Sequence, residues 1–374
     1  MIKGRTLAEL GEELQRQRKA RQDFVADTRK LVMQTTPKKS TLRMSVKGKL
    51  EEFTVGLVAH QQIASRLGIT YRYYQKMQEQ APALLDENVN TWFQNTPEQR
   101  MIRVLDGRVR AFLSNRYRRL DNLELCAAVL PVIKKMKGAD IVSCEVTESH
   151  LYIKVINKRM KTEVAVGDAV QAGFVVSNSE VGLGSVRVEP LIFRLVCKNG
   201  LICKDFAQKK YHVGRQISES EEAAYELYSE ETLRQDDKSF FMKVGDIVSA
   251  AVDEAKFQLT VERMRETMHI PLEHEPVQEV KLLAEKFQLT EIERSNVFHQ
   301  LFKDGDISRY GLMNAVTAAS KLCDDYERAT DLERIGGEIL AMPIPTRLLP
   351  EGKSLRQRIP RLSSAMPMKE LASA

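Results

Sequence analysis

Seven arginines crowd the stretch from 100 to 119 (Arg100, Arg103, Arg108, Arg110, Arg116, Arg118 and Arg119) against one acid, Asp106. Alternation from Arg103 onward sets Arg108 and Arg110 on one face of a strand, opposite Val109 and Ala111. A row of guanidinium groups suits a phosphate backbone, because each offers a planar fork of donors and keeps its charge. Tyr117 and Phe112 are interleaved among them, and aromatic rings give unpaired bases a surface to stack on. The same residues also fit an arginine-lined sheet face that pairs with acids elsewhere in the fold.

A second basic strip comprises Lys204, Lys209, Lys210, His212 and Arg215, with Tyr211 among them. Just before it, Gly182 and Gly184 look like part of a phosphate-binding loop, but neither GK[ST] nor GxGxxG follows, so a nucleotide fold has no support. Cys197, Cys203 and His212 form a conceivable metal set. Half-buried strand cysteines are the commoner arrangement, and neither metal nor cofactor is expected.

The third stretch is His60–Met77, HQQIASRLGITYRYYQKM. Ala64 is small enough for two helices to approach, Gly68 supplies a turn, and Ile63, Leu67, Ile69, Tyr74 and Met77 fill the space between. That spacing is a helix-turn-helix, whose second helix would present Thr70, Tyr71, Arg72, Tyr73 and Gln75 to a groove of duplex DNA. A corner of two helices that only packs has the same pattern.

Signals for catalysis are weak. No nucleophile sits in an evident pattern with a base, and His269 and His274 flank Pro271 without the HExxH spacing. Asp304-Gly305-Asp306 starts like a calcium loop, but Ala315 holds the place of the twelfth, acidic ligand, so a turn is the better reading. The expectation is a chain that is not an enzyme.

The elements that must position these residues follow from composition and periodicity. With 374 residues, 43% hydrophobic and 29% charged, the chain can bury a real core. Its net charge of +6 is unevenly spread: residues 1–50 carry 13 Lys/Arg against 5 Asp/Glu, and residues 219–237 carry eight acids against Arg234. No run of about 18 apolar residues occurs, so no membrane partner is expected. The charged start does not read as a secretion signal. Five scattered cysteines without a CxxC pair predict reduced thiols and a cytoplasmic location.

Periodicity predicts a helical arm over 1–36, with a narrow stripe at Leu7, Leu10 and Leu14, and then a core over 37–218. That core opens with a hairpin around Lys47-Gly48-Lys49. Helices at about 59–79 and 84–95 follow, then a hairpin at Asp106-Gly107 and a helix from about 122 to 136 capped by Asp121 or Asn122. Ile141–Val146 should pair with Leu151–Val155 across Glu148-Ser149. A loop-rich stretch from Gly167 to Gly184 comes next, and then strands on either side of Asn199-Gly200. Helices at about 219–235, 241–267, 276–286, 289–303 and 308–330 fill a region over 219–335, and a proline-bearing tail covers 336–374. The fold class is α+β, a mixed N-terminal half with antiparallel hairpins and a helical C-terminal part.

Taken together, several blocks resemble a phage- and plasmid-like family of uncharacterised proteins. They are Ala64–Tyr74 (ASRLGITYRYY), Arg103–Tyr117 (RVLDGRVRAFLSNRY) with Asp121-Asn122, Ser177–Gly182, Arg194–Leu201, His212–Arg215 and Ser308–Thr317. They fall in order over about residues 40–330; Lys198 stands where a smaller polar residue is expected. The resemblance implies a gene of a phage, plasmid or integrative element acting in a bacterial cytoplasm, and it supplies no reaction.

The basic strips with their tyrosines therefore predict a non-enzymatic DNA-binding protein handling single strands in recombination, repair or replication, by analogy with annealing proteins. The alternative is a sequence-specific duplex binder, a regulator or anti-defence factor, working through residues 60–77. A host or phage protein partner is a third expectation. The thin stripe on the first helix and the open sheet edges predict a homo-oligomer built head to tail.

Overall fold

Lys47-Gly48 and Asp106-Gly107 take positive φ at both residues (49° and 81°, 51° and 73°). This geometry matches the twist of the strands such turns join. They close the two expected hairpins, β3 (Ser40–Val46) with β4 (Lys49–Val55) and β5 (Gln99–Leu105) with β6 (Arg108–Ser114). The computed structural model describes residues 1–115, 117, 120–203, 212–213 and 230–343; Met1–Ala341 form one unit.

The helical arm over residues 1–36 is corrected. Helix α1 spans Leu7–Ala20 under a Thr6–Glu9 capping box and ends there. The chain continues as β1 (Arg21–Asp27), a short 3-10 turn and β2 (Val32–Thr35). Strand β1 pairs along its whole length with Gln99–Leu105, a long-range match that no local pattern announces. Nor is the stripe of α1 too thin to dock. Leu10 and Leu14 are 1% and 3% exposed in the chain's own core, packed with residues of α5 (Asn122–Lys135). Burial of each is worth about 2 kcal/mol.

These strands make a six-stranded sheet of order β1-β5-β6-β4-β3-β2, antiparallel except between β4 and β6. Helices α2 (Leu57–Arg66), α3 (Tyr71–Gln80) and α4 (Pro82–Asn95) share its core, with Ile63, Tyr74, Met77, Val89 and Phe93 in one cluster with Leu42, Phe53, Ile102 and Phe112. Helix α4 also covers the β2 margin. Asn90 Oδ1 accepts from Met33 N–H (2.8 Å) while its Nδ2 donates to Met33 O (2.9 Å), and Asp86 Oδ2 accepts from Thr35 N–H (2.8 Å). Side chains thus finish the ladder of this edge strand.

The second sheet runs β11-β10-β9-β8-β7, antiparallel throughout. Its strands are β7 (Ala139–Val146), β8 (Leu151–Glu163), β9 (Ala169–Asn178), β10 (Val186–Arg194) and β11 (Asn199–Ile202), and β12 (His212–Val213) also pairs with β10. Ile141 faces Val155, Cys144 faces Ile153 and Val146 faces Leu151, as the pattern predicts. Two expectations are corrected. The stretch read as loop holds β9, and Asn199-Gly200 lies inside β11, the turn falling at residues 195–198 with Lys198 at φ 50°.

Strand β9 was hidden because both its faces are covered. Phe174 and Val176 sit in a core shared with α1, α5 and α6 (Glu230–Ser249). Val175, with Tyr152 and Ile202, packs instead with Tyr326 of α11 (Tyr326–Ala341). A strand buried on both sides loses its alternation.

The remaining helices are α7 (Glu254–Met268), α8 (Pro276–Phe287), α9 (Glu291–Asp304) and α10 (Arg309–Ala319). Helix α6 runs through position 241, where a helix start was expected, and ends at Ser249; Asp253 caps α7. The single helix expected over 308–330 is two, α10 and α11, with a 3-10 turn at Ser320–Leu322 between them. Helix α11 continues to Ala341, past the expected limit at 335. The class is α+β, strands in the N-terminal half and helices in the C-terminal part.

Candidate nucleic-acid interface

Residues 60–77 do form helix, turn and helix. Gly68, at φ +69°, reverses the chain after α2, and Ile69 N–H returns to Ala64 O at 2.9 Å. A residue with a Cβ is strained there. Ala64, Ile63, Tyr74 and Met77 are buried between the helices and the sheet, and Leu67 and Ile69 pack at the edge of the same core. A contact braces the pair, His60 Nδ1 of α2 lying 2.9 Å from Tyr74 Oη of α3, and within α3 Tyr71 stacks on Tyr74 with ring centroids 6.0 Å apart.

The outer face of α3 is open. Thr70, Arg72, Gln75 and Lys76 are exposed, Tyr73 is 53% exposed, and Tyr71 is half-buried. Gln78 Nε2, near the end of α3, reaches Ser40 Oγ (3.4 Å), and Lys38 and Lys39, just before Ser40 in the chain, are exposed. Neither those lysines nor Arg72 and Lys76 form an ion pair with another described residue.

The arginines of β5 and β6 behave differently. Alternation holds, with Val109 and Ala111 fully buried and Arg108 exposed. Arg103, however, is not a nucleic-acid contact: it is 0% exposed. It donates to Asp23 Oδ1 (3.0 Å), to Asp121 Oδ1 (3.0 Å) and to Glu180 O (2.8 Å). Asp121 also pairs with Arg21. Burial alone would raise the Asp121 carboxyl, but Arg103 and Arg21 hold it below the usual range. With its carboxylate so engaged, Asp121 occupies the N-cap of α5 without a side-chain cap; Glu180 Oε1 accepts from Asn122 N–H instead, at 2.6 Å.

Arg110 is likewise turned inward, to Glu180 Oε2 at 2.6 Å. Arg108 meets Glu148 at 2.7 Å, and both side chains are largely exposed. An exposed pair of that kind is worth about 0–1 kcal/mol and exchanges readily for a phosphate. Tyr117 is not a stacking platform, since its hydroxyl donates to Ser179 O at 3.1 Å and burial raises its ionisation. Phe112 is core, 1% exposed. Arg116, Arg118, Arg119, Lys204, Lys209, Lys210, Tyr211 and Arg215 lie outside the described residues, and His212 pairs through β12 with Arg187.

Gly182 does not open toward a phosphate: a Cβ there would stand 2.5 Å from Leu113 Cδ2. The loop after β9 packs onto the first sheet, with Val181 in a small cluster with Met101, Ala111 and Leu113. All five cysteines are free, and among the described residues no three His, Cys, Asp or Glu side chains gather as metal ligands.

Sequence reasoning missed two buried polar clusters and a half-buried third. Lys154, 1% exposed, meets Glu333 at 2.6 Å and lies over the Tyr326 ring. Asp168 bonds Arg194 (2.6 Å) and the Tyr310 hydroxyl (2.5 Å). Glu327 accepts from Ser149, Thr147 and His150, so the turn between β7 and β8 is tied to α11. Serine and histidine there both bond the carboxylate, an arrangement that anchors a turn and does not prime a hydroxyl for attack. Each cluster joins elements far apart in the chain. The one available signal was a charge within an apolar run, Lys154 in LYIKVIN and Glu333 among the apolar positions of α11.

No curated protein and no solved structure matches the chain. A family described as a domain of unknown function, DUF932, matches residues 110–336, so that α2 and α3 precede the matched segment. The match covers more than half of the 374 residues, and the chain belongs to the DUF932 family.

Proposed function

We propose that the chain is a non-enzymatic DNA-binding protein that engages duplex DNA through α2 and α3, with α3 as the reading helix. The observation that carries this reading is the outer face of α3. Arg72 and Lys76 stand exposed beside Tyr73 on α3, and exposed Lys38 and Lys39 precede Ser40, which meets Gln78 near the end of the helix; none of the four has an ion-pair partner among the described residues. In the first basic strip, by contrast, Arg103 and Arg110 are taken up by inward acids of the same chain, and Arg108 keeps an exposed pair with Glu148. In this mode the first residues of the second helix meet base edges while lysines beside it hold the phosphates. The setting is a phage, plasmid or integrative element in a bacterial cytoplasm, and the working form is a two-fold dimer with half-sites about 34–36 Å apart.

Selection of bound sequences from random duplex DNA, with the full chain, tests the reading. An enriched palindrome is expected. A titration on single-stranded and duplex oligonucleotides of equal length runs beside it. Salt-sensitive binding to single strands alone would return the function to single-strand handling, and no salt-sensitive binding to either would remove DNA from the account.

A further inference from the structure

Helices α5 and α6 leave a groove of about 600 Å³ along their outer contact. Its walls are regular. Glu124, Ala128 and Val132 recur every four residues on α5, as do Asp237, Phe241 and Gly245 on α6. Such spacing aligns side chains on one helix face. The floor is apolar where Val132 of α5 meets Gly245 of α6, a Cβ at which would stand 3.5 Å from Val132 Cγ2, and it continues onto Met242, which is 65% exposed.

The rim is acidic. Among the described residues, Glu124, Asp237 and Asp246 border the groove with one lysine, Lys238, and Arg18 and Arg21 lie close enough to Glu124 to offset part of its charge. Burial, with Asp121 and Asp237 close by, lifts the Glu124 carboxyl above its usual range, so added positive charge at this rim is favoured.

We propose that this groove docks an amphipathic helix with basic residues flanking its apolar stripe. The α5 wall from Glu124 to Val132, eight residue steps, extends about 12 Å at 1.5 Å per residue. That length takes apolar anchors at i, i+3 or i+4, and i+7, the pattern of a helix laid in a groove. An exposed methionine adapts to anchors of differing shape. The carboxylates at the rim set the charge of the partner, and the binding is independent of any role in DNA recognition.

The test uses the full chain and two labelled 14-residue model peptides. Both carry leucine at i, i+3, i+4 and i+7, which serves either anchor spacing; one has lysine on its flanks, the other glutamate. Fluorescence anisotropy is expected to show the lysine peptide binding at least tenfold tighter than the glutamate peptide. Met242→Lys, at an exposed position that leaves folding intact by thermal melt, should weaken the lysine peptide tenfold or more. Asp246→Lys should narrow the preference between the two peptides. Equal binding of both, no binding below millimolar concentration, or indifference to Met242→Lys would overturn the proposal. A wild-type chain that is dimeric in solution and turns monomeric on Met242→Lys would overturn it too, by assigning the groove to a second copy.

Discussion

His60 and Tyr74 close the angle between α2 and α3: the imidazole Nδ1 lies 2.9 Å from the phenol oxygen, and the rings meet edge to face at 5.5 Å. The other ring nitrogen faces Gln78 Nε2 at 3.3 Å, so a neutral imidazole stands between two partners on α3. Burial, with Arg108 nearby, lowers the His60 pKa to about 4. A charged imidazolium is therefore disfavoured where the two helices meet.

Stability should fall as pH drops from about 6.5 to about 4. In that window the unfolded chain takes up a proton at His60 that the folded chain refuses, so the unfolded state binds more protons and gains. The loss approaches about 3 kcal/mol at the acid end. Urea unfolding at pH 7 and pH 4.5, for wild type and His60→Phe, checks it. The aromatic variant should lose less than wild type between the two pH values.

Arg72→Ala with Lys76→Ala should weaken duplex binding about tenfold and reduce the slope of log K against log salt by up to about 2. Both side chains are exposed, so the melting temperature should stay within a few degrees of wild type. An unchanged slope would place the phosphates on another surface.

Arg103→Met should cost about 3–5 kcal/mol, because it leaves Asp23 and Asp121 with a buried charge partner removed. Arg108→Met, at an exposed pair, should cost less than about 1 kcal/mol. Chemical denaturation of the two variants side by side decides it; equal costs would deny the difference in burial.

Burial pushes the Cys126 and Cys203 thiols up to about 12 and Cys144 up to about 11. In the folded chain near pH 8 these three should react with a thiol reagent far more slowly than half-buried Cys197. Peptide mapping after a short pulse of reagent gives the order, and unfolding should bring all five thiols to similar rates.

Local chemistry was legible wherever few residues decide the outcome. The turns at Lys47-Gly48 and Asp106-Gly107 need left-handed backbone and have it, and Gly68 marks the turn between α2 and α3. The arginines were legible as a strand face but not as ion pairs. The partners of Arg103 lie 80 residues before it and 18 and 77 residues after it, and no spacing rule joins such positions. Strand β9 failed for a related reason, since its second covering layer comes from α11, more than a hundred residues away. The stripe on α1 was narrow, yet two leucines suffice once α5 is there to receive them.

The cover that α4 lays over β2 bears on assembly. With Asn90 and Asp86 occupying the amides of Met33 and Thr35, the first sheet can lengthen only beyond its opposite border, at β1. Growth of a sheet into a fibre needs a free edge on both sides, because each added copy must offer the next one a border. A sheet closed along β2 in this way cannot serve as the repeating unit of an edge-to-edge fibre.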